Sequence, residues 1–474
     1  MPDQVSAVDS AEAGIEVTCS ERIARWFAVQ PDIQYIIHPD TDKARDDALV
    51  CWFTFYRYIS ISGDLLMSVR SLLFTTALVT TLTSSLMAAE QNNRYIQTNL
   101  VANQTKYQAA SHEKAFINAW GIAIRPAGAG GHFWVTAKDT SFEYVGDVHA
   151  SPDSKLRVLH QDQLSEVKLP VHGDDAFSTG VVFNGSQDSF VITQKIQKAQ
   201  DITAPAKFIF ASDSGIISAW TERKKEDGTF DRPLEAKVVI DESKNGVQFF
   251  GLALNSVSSR IYAANFGKSP GIKVFDSHFK PVSMVFDMPF DDNKNGTVDP
   301  GEYAPFNVQA FTTPKGEPHV FVTYAKTQQC TEDGLNKGLC HAGELFAGEE
   351  DTSQPGQGRL AEFTEEGKLV RVWKDTGKLS APWGLAYAPA DFGALSNMLL
   401  VGNFGDGTIA AYDPTTYAFV AYLNDAKGKP VKIEKIWGLL FGNGESLGDK
   451  NALYVAAGPN DEKDGLFSVL RPVK

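Results

Sequence analysis

A twelve-residue segment, residues 291–302, carries oxygen-bearing side chains at the spacing of a calcium-binding loop. The pattern D-x-[DN]-x-[DN]-G with a closing Glu is complete, and Gly296 stands at its sharp turn. Thr297 would contribute its backbone carbonyl, and the full set of expected ligands is Asp291, Asn293, Asn295, Thr297, Asp299 and Glu302. The segment predicts a structural calcium site, with an acidic surface turn rich in Asn and Gly as the alternative.

Two cysteines, Cys330 and Cys340, stand close together in the sequence. In an exported protein such a pair is expected to form a disulfide, which would stabilise the fold by about 3 kcal/mol. A zinc site that also uses His341 is the alternative, although the neighbouring sequence offers no fourth ligand.

A third set of polar residues falls at the ends of predicted strands. If these strands belong to repeats around one axis, their ends meet in an axial pocket, whose candidate residues are Lys138, Gln194, Asn265, Tyr324 and Asn403. A divalent ion in such a pocket could activate water for a hydrolase or lactonase reaction. The alternative is that the Asn-Phe-Gly segments at 265 and 403 form turns between strands. Because the usual nucleophile, zinc-protease, phosphate-loop and dinucleotide motifs are absent from the sequence, it leaves open whether the protein is an enzyme.

The elements that would position these residues recur along the chain. An aromatic residue followed by Gly and apolar residues begins at Trp120, Phe250, Trp383 and Trp437, and Thr179 opens a weaker copy. Short β-branched and aromatic runs typical of buried strands follow each copy, without amphipathic helical patterns between them. With a divergent copy at Pro305, the count is six. The sequence therefore predicts an all-β protein, a six-bladed β-propeller with long inserted loops.

The predicted ring also has a closing element. Residues 95–101 form a strand-like segment that belongs to none of the six repeats, and residues 466–470 end the last one. Pairing these two segments would close the ring and cover an exposed sheet edge.

Five segments carry a family resemblance: residues 304–309, 322–326, 381–386, 402–407 and 457–462. With them, the chain from about residue 95 to 470 resembles an uncharacterised family of exported bacterial six-bladed propeller proteins. That family is similar in turn to NHL-repeat and gluconolactonase-like propellers. The resemblance implies fold and export, and it implies no reaction. The loops at 287–302 and 328–345 depart from the usual pattern.

The beginning of the chain suggests a targeting signal. Residues 67–89 start with Met67 and Arg70, continue without charge, and end in Ala88 and Ala89, which is the order of a secretory signal peptide. Residues 1–66 are then interpreted as a mis-assigned leader, or as a short cytoplasmic segment if 67–89 is an internal anchor. Residues 90–474 are predicted to form one propeller domain.

The charge composition limits the classes of partner that the protein could bind. With 44 basic and 58 acidic residues, the chain has a formal net charge of −14, which disfavours nucleic acid. We expect export to the periplasm or outside the cell, without stable membrane insertion after signal cleavage. The favoured function is a binding module for a protein, glycan or small molecule, with a metal-dependent hydrolase as the alternative.

Overall fold

The computed structural model describes residues 93–196 and 200–473 with their side chains, and the backbone of five strands between residues 13 and 70. The chain divides into two compact units, Met1–Glu90 and Gln91–Lys474. The strands of the first unit are β1 (Ala13–Thr18), β2 (Glu21–Ala24), β3 (Phe27–Ile37), β4 (Ala48–Ile61) and β5 (Leu65–Arg70). They form an antiparallel sheet in the order β1-β3-β4-β5, with β2 beside β3.

The predicted signal segment lies mainly outside the described residues. Its first residues, Met67 to Arg70, belong to β5, and the structure does not describe residues 71–89. The predictions of a leader and of a signal peptide therefore stay predictions.

The second unit begins with β6 (Tyr95–Ala102) and β7 (Ser111–His112). Blade 1 consists of β8 (Ala119–Ala123), β9 (Phe133–Ala137), β10 (Thr140–Tyr144) and β11 (Glu166–Lys168). Blade 2 contains β12 (Ser178–Phe183), β15 (Phe208–Ser212), β16 (Ile216–Trp220) and β19 (Lys237–Asp241). Two hairpins are inserted into blade 2: β13 (Val191–Gln194) with β14 (Ile202–Pro205), and β17 (Arg223–Lys224) with β18 (Phe230–Asp231).

Blade 3 has three strands, β20 (Phe249–Leu254), β21 (Arg260–Asn265) and β22 (Gly271–Asp276). Blade 4 contains β23 (Tyr303–Thr312), β24 (Pro318–Gln329), β26 (Gly358–Thr364) and β27 (Leu369–Val372). The α-helix α1 (Glu332–Asn336) and strand β25 (Leu345–Glu350) lie between β24 and β26 in sequence, and β25 pairs with the end of β24.

Blade 5 contains β28 (Pro382–Tyr387), β29 (Leu399–Asn403), β30 (Ile409–Tyr412) and β31 (Phe419–Tyr422). Blade 6 contains β32 (Ile436–Phe441), β33 (Leu453–Ala457) and β34 (Leu466–Pro472), followed in the sheet by β6 and β7. Single 3-10 turns occur at Thr105–Tyr107, Ser154–Arg157, Ser243–Asn245 and Gly393–Leu395.

The six sheets form a closed ring. The first strand of each blade contacts the first strand of the next, in the order β8, β12, β20, β23, β28, β32, and β32 returns to β8. Strand β6 pairs antiparallel with β34, with Val101 opposite Phe467. The predicted six-bladed β-propeller and its predicted closing pair are both confirmed.

The repeated Gly lets neighbouring inner strands approach each other. A Cβ atom on Gly384 would lie 2.3 Å from the carbonyl oxygen of Trp437, and one on Gly438 would lie 2.6 Å from that of Trp120. Any side chain there would force neighbouring blades apart, so the aromatic-Gly motif marks the inner strands. In blade 4, Asn307 stands at the position of the repeated Gly and lies opposite β20. Its Nδ2 donates to the carbonyl of Trp383 at 2.8 Å.

Candidate functional site

Aromatic side chains from five of the six blades meet at the ring axis. These residues, here called the aromatic layer, are Trp120, Phe250, Phe306, Trp383 and Trp437, each near the start of an inner strand. Trp120 stacks on Trp437 with ring centroids 3.6 Å apart, and Phe250 and Trp383 lie edge-on to Trp120 at 5.4 and 6.4 Å. The motif that defines the repeat thus supplies a cluster of rings at the axis.

Two of the three indole N–H groups in the aromatic layer are satisfied. Trp437 Nε1 donates to Asn118 Oδ1 at 2.8 Å, and Trp383 Nε1 donates to the carbonyl of Phe250 at 3.1 Å. Trp120 is 3% exposed, and its Nε1 has no hydrogen-bond partner among the described residues. A buried donor without a partner is uncommon, because it loses its bonds to water without replacement.

A cavity of about 410 Å³ lies against the aromatic layer and is here called the axial cavity. The rings of Trp120, Phe250 and Trp437 line it, together with Phe404. Its acidic lining residues are Asp175, Asp213, Glu349, Glu350 and Glu462. The cavity therefore combines aromatic surface with several carboxyl groups, a pairing typical of small-molecule sites.

The carboxyl groups of the axial cavity are held in an environment that favours their neutral form. Burial, and secondly the nearby Glu462, raise the pKa of Glu350 to about 8 against the opposing effect of Lys435. Burial also raises the pKa of Asp213 to about 7, although the Phe177 N–H donates to its Oδ1 at 2.8 Å. Desolvation raises the pKa of Glu462 as well. A cation bound beside such carboxyl groups would favour their ionised form, and their protons would then pass to solvent.

Lys435 lies near the carboxyl groups of the axial cavity. Its Nζ lies 4.1 Å from the ring centroid of Phe404, a cation–π distance. Its positive charge lowers the pKa of Glu349, Glu350 and Glu462, whose carboxyl groups therefore lie within electrostatic reach of it.

Strand β25 and the preceding loop cover one side of the axial cavity. The Gly348 N–H donates to the carbonyl of Phe266 at 3.1 Å, and this bond joins β25 to blade 3. Leu339 and Phe346 line the cavity from this segment. Cys330 and Cys340 lie at disulfide-bonding distance in the same loop, as expected from the sequence. The cysteine-bearing insertion is therefore part of the axial site, although the sequence gives no sign that the two are connected.

A second cavity, of about 280 Å³, lies farther along the inner strands. Aliphatic side chains and strand backbone form most of its lining, with Asn307 and Gln309 as polar members. Both amides are engaged: Asn307 donates to Trp383, and Gln309 Oε1 accepts from the Leu385 N–H at 2.7 Å. This cavity offers fewer groups for chemistry than the axial cavity does.

None of the residues predicted for an axial pocket lines the axial cavity. Asn265 and Asn403 are fully buried, and the side chain of each bonds to backbone groups of the segment that leads into the first strand of its blade. The Asn265 side chain also bonds to a carbonyl of its own turn. Tyr324 packs against Phe290 at 4.8 Å, at an apolar cleft beside the predicted calcium loop. Lys138 has a positive φ of 49° in the turn after β9.

Gln194 requires a correction. Comparison of the repeats predicts it at the end of the second strand of blade 2, but it ends β13, in a separate hairpin with β14. The second strand of the blade is β15, which pairs with β12. An inserted hairpin with the same β-branched pattern as a blade strand caused the error, because periodicity does not distinguish the two.

The predicted calcium loop folds inward on its own side chains. Asp291 accepts hydrogen bonds from the N–H groups of Asn295 and Gly296, at 3.2 and 2.8 Å. Both carboxylate oxygens of Glu302 accept N–H groups, from Asp292 at 3.1 Å and Asp299 at 2.9 Å. The loop is therefore already wound around its acidic residues, and its hard oxygen donors are the type that suits calcium.

The remaining predicted ligands belong to the same arrangement. Asp299 Oδ2 accepts the side-chain amides of Asn293 and Asn295, at 2.5 and 2.9 Å. Thr297 Oγ1 donates to Asn295 Oδ1 at 2.7 Å. Across the described residues, however, no group of three or more His, Cys, Asp or Glu is arranged to hold a metal ion.

Blade 4 holds the loop in place. The Gly301 N–H donates to Thr327 Oγ1 at 3.0 Å, and the Thr327 N–H donates to the carbonyl of Glu302 at 2.8 Å. The end of the loop is thus tied to β24. A change at the loop can therefore affect the stability of the blade.

Comparisons with known proteins match separate parts of the chain. Residues 2–53 match the model of the carbohydrate-selective porin, OprB family. An uncharacterised protein of Acanthamoeba polyphaga mimivirus is 26% identical over 373 residues, covering 77% of this chain and 78% of the relative. In the described part of the chain, no helix combines the length and apolar character needed to cross a membrane.

Two solved structures are similar in architecture. A glucose dehydrogenase has 13% identity and a TM-score of 0.39, covering 80% of this chain and 99% of its own. Regucalcin, a calcium-binding protein from Agrobacterium tumefaciens, also has 13% identity and a TM-score of 0.39, covering 76% of this chain and 92% of its own.

Proposed function

We propose that the propeller is a binding module that holds a small ligand in the axial cavity. The observation that carries this proposal is the joining of aromatic and carboxyl groups from several blades around one space of about 410 Å³. This volume lies within the range of ordinary small-molecule sites. The hydrolase alternative has less support, because the side-chain amides of Asn265 and Asn403 are already hydrogen-bonded within their own blades.

A cavity-blocking substitution tests this function. We expect ligands found by a thermal-shift screen of cationic, neutral and anionic compounds to raise the melting temperature of the wild type. Glu349→Trp places a large ring at the cavity lining and should abolish that rise, because the ligand and the indole compete for one space. Glu344→Trp makes the same change immediately before β25, outside the cavity lining, and it should keep the rise.

Two results would contradict the function. One is a complete screen without any compound that raises the melting temperature. The other is a set of ligands that stabilise the Glu349→Trp variant as well as they stabilise the wild type, since they would then bind elsewhere.

We also propose that residues 291–302 bind calcium with a structural role. Support comes from the complete ligand pattern and from the inward folding around Asp291 and Glu302. Bound calcium would offset the repulsion between the loop carboxylates and would fix the entry into β23.

Calcium should raise the melting temperature of the full chain by several degrees. A ligand whose concentration is about 100 times its dissociation constant stabilises the folded state by about 2.7 kcal/mol. Glu302→Gln removes the closing carboxylate and should abolish the shift. Asp292→Asn changes an acidic residue of the same loop at a non-ligand position and should preserve it. Differential scanning calorimetry in calcium, magnesium and chelator measures the effect, and an equal shift in the Glu302→Gln variant would reject the site.

The propeller is further proposed to act after export, in the periplasm or outside the cell. The order of residues in 67–89 and the cysteine pair at bonding distance support this location. Mass spectrometry of the exported form should show cleavage after Ala88 or Ala89, and an intact N-terminus there would contradict it.

A further inference from the structure

We infer that the ligand of the axial cavity is an organic cation that also carries a hydrogen-bond-accepting oxygen, of the kind found in hydroxylated quaternary ammonium compounds. This inference rests on the proposed small-ligand function and adds the chemical class of the ligand. Three features of the cavity carry it, and each corresponds to one part of such a molecule.

The first feature is the excess of acidic groups over basic ones. Asp213, Glu350 and Glu462 come from different parts of the ring, and their carboxyl groups interact: Glu462 raises the pKa of both Asp213 and Glu350. A cation placed among them would be attracted to several carboxylates at once. The same carboxylates would repel an anion, and the single positive charge of Lys435 would not offset that repulsion.

The second feature is the aromatic surface. Rings of Trp120, Phe250, Trp437 and Phe404 line the cavity, and ring faces attract cations while their apolar area accommodates methyl groups. Lys435 already shows this preference within the protein, since its ammonium lies 4.1 Å from the Phe404 ring centroid. A strongly hydrated metal ion would gain little from such rings, whereas a methylated ammonium would gain contact over its whole surface.

The third feature is the unused indole N–H of Trp120. Trp120 lines the cavity and is 3% exposed, and its Nε1 has no acceptor among the described residues. A ligand oxygen would supply the missing acceptor. In contrast, Asn118 already accepts the corresponding N–H of Trp437.

The carboxyl groups connect cation binding to pH. In the free protein Glu350, with its pKa raised to about 8, and Asp213, at about 7, hold protons at mildly acid pH. The other charged groups around them are Asp175, Glu349 and Glu462 in the cavity lining, and Lys435 nearby. A bound cation favours the ionised carboxylates, so affinity should increase as the pH rises through these values, with protons released on binding.

The test is isothermal titration calorimetry of the full chain with choline as the probe. We expect choline to bind, and its affinity to be about tenfold or more higher near pH 8.5 than near pH 6, consistent with the linkage. The neutral alcohol in which carbon replaces the choline nitrogen should bind at least about tenfold more weakly, since it keeps the shape and loses the charge. Tetramethylammonium has the charge of choline but lacks its oxygen, so it is the control for the hydrogen bond to the Trp120 indole.

Three variants separate the contributions. Glu350→Gln conserves the shape of the side chain. It should weaken the binding of choline about tenfold near pH 8.5 and reduce the pH dependence of that binding. Trp120→Phe should weaken the binding of choline and leave that of tetramethylammonium nearly unchanged, because only choline offers an acceptor to the indole. Lys435→Met should strengthen the binding of both cations, because it removes the internal ammonium that competes for the Phe404 ring and the carboxylates.

The outcomes distinguish the ligand class from the cavity function. If the neutral alcohol binds as tightly as choline, or if choline does not bind at millimolar concentration, the inference of a cation is wrong. The cavity function survives that result if neutral or anionic compounds from the thermal-shift screen still lose their effect in Glu349→Trp. Choline binding that none of the three variants alters would show that the cation binds elsewhere.

Discussion

Replacement of Trp437 by alanine should lower the free energy of unfolding by about 3–5 kcal/mol. Trp437 is 1% exposed, stacks on Trp120 at 3.6 Å and contacts Phe404 at 4.1 Å. Its removal leaves a void where several blades meet, and the ring cannot close over that void without moving whole sheets. The loss should therefore lie at the upper end of the range for aromatic truncation.

The indole N–H of Trp437 allows a graded control. Trp437→Phe keeps most of the ring contact and leaves Asn118 Oδ1 without its donor, so we expect a smaller cost of about 1–3 kcal/mol. Equilibrium urea denaturation of both variants measures the difference. A cost below about 1 kcal/mol for Trp437→Ala would mean that the aromatic layer does not hold the blades together.

The fold was predictable because its repeat unit carries a steric requirement. An aromatic residue followed by Gly occurs where the backbone of one inner strand approaches the next, and Gly384 shows how little space remains there. This steric requirement conserves the aromatic-Gly pair from repeat to repeat, so the repeats can be recognised in the sequence. Blade 4 replaced the Gly by Asn307, whose side chain bonds across to blade 5, and so its copy was recognisable only as a divergent one.

The axial site was much less predictable. Its residues come from turns and an inserted loop in different blades, and only the closed ring brings Asp213, Glu350 and Glu462 to one cavity. The ends of the predicted strands do not reveal them, because Asn265 and Asn403 at those positions bond to the segments that lead into their own blades. One signal was available: Glu462 was part of a segment that carried the family resemblance, although no chemistry could be assigned to it.

The ring depends on one strand from the beginning of the second unit, and this makes Val101 unusually sensitive. Val101 lies in β6 opposite Phe467 of β34, and it is fully buried in a cluster with Phe133 and Phe142. Val101→Asp would bury an unpaired carboxylate there, at a cost of about 3–5 kcal/mol. The cost acts on the pairing that closes the ring, so β6 should detach and expose the edge of β34.

The expected result is a lower urea midpoint together with aggregation, detected by size-exclusion chromatography, and rapid hydrogen exchange at β34. Ile96→Asp is the matched control, because Ile96 belongs to the same strand and is 52% exposed. It adds the same charge at a solvated position and should change stability by no more than about 0.5 kcal/mol. If both variants keep wild-type stability, closure by β6 is dispensable. If both lose stability equally, charge in the strand matters more than its burial, and the ring is not held by the packing of Val101.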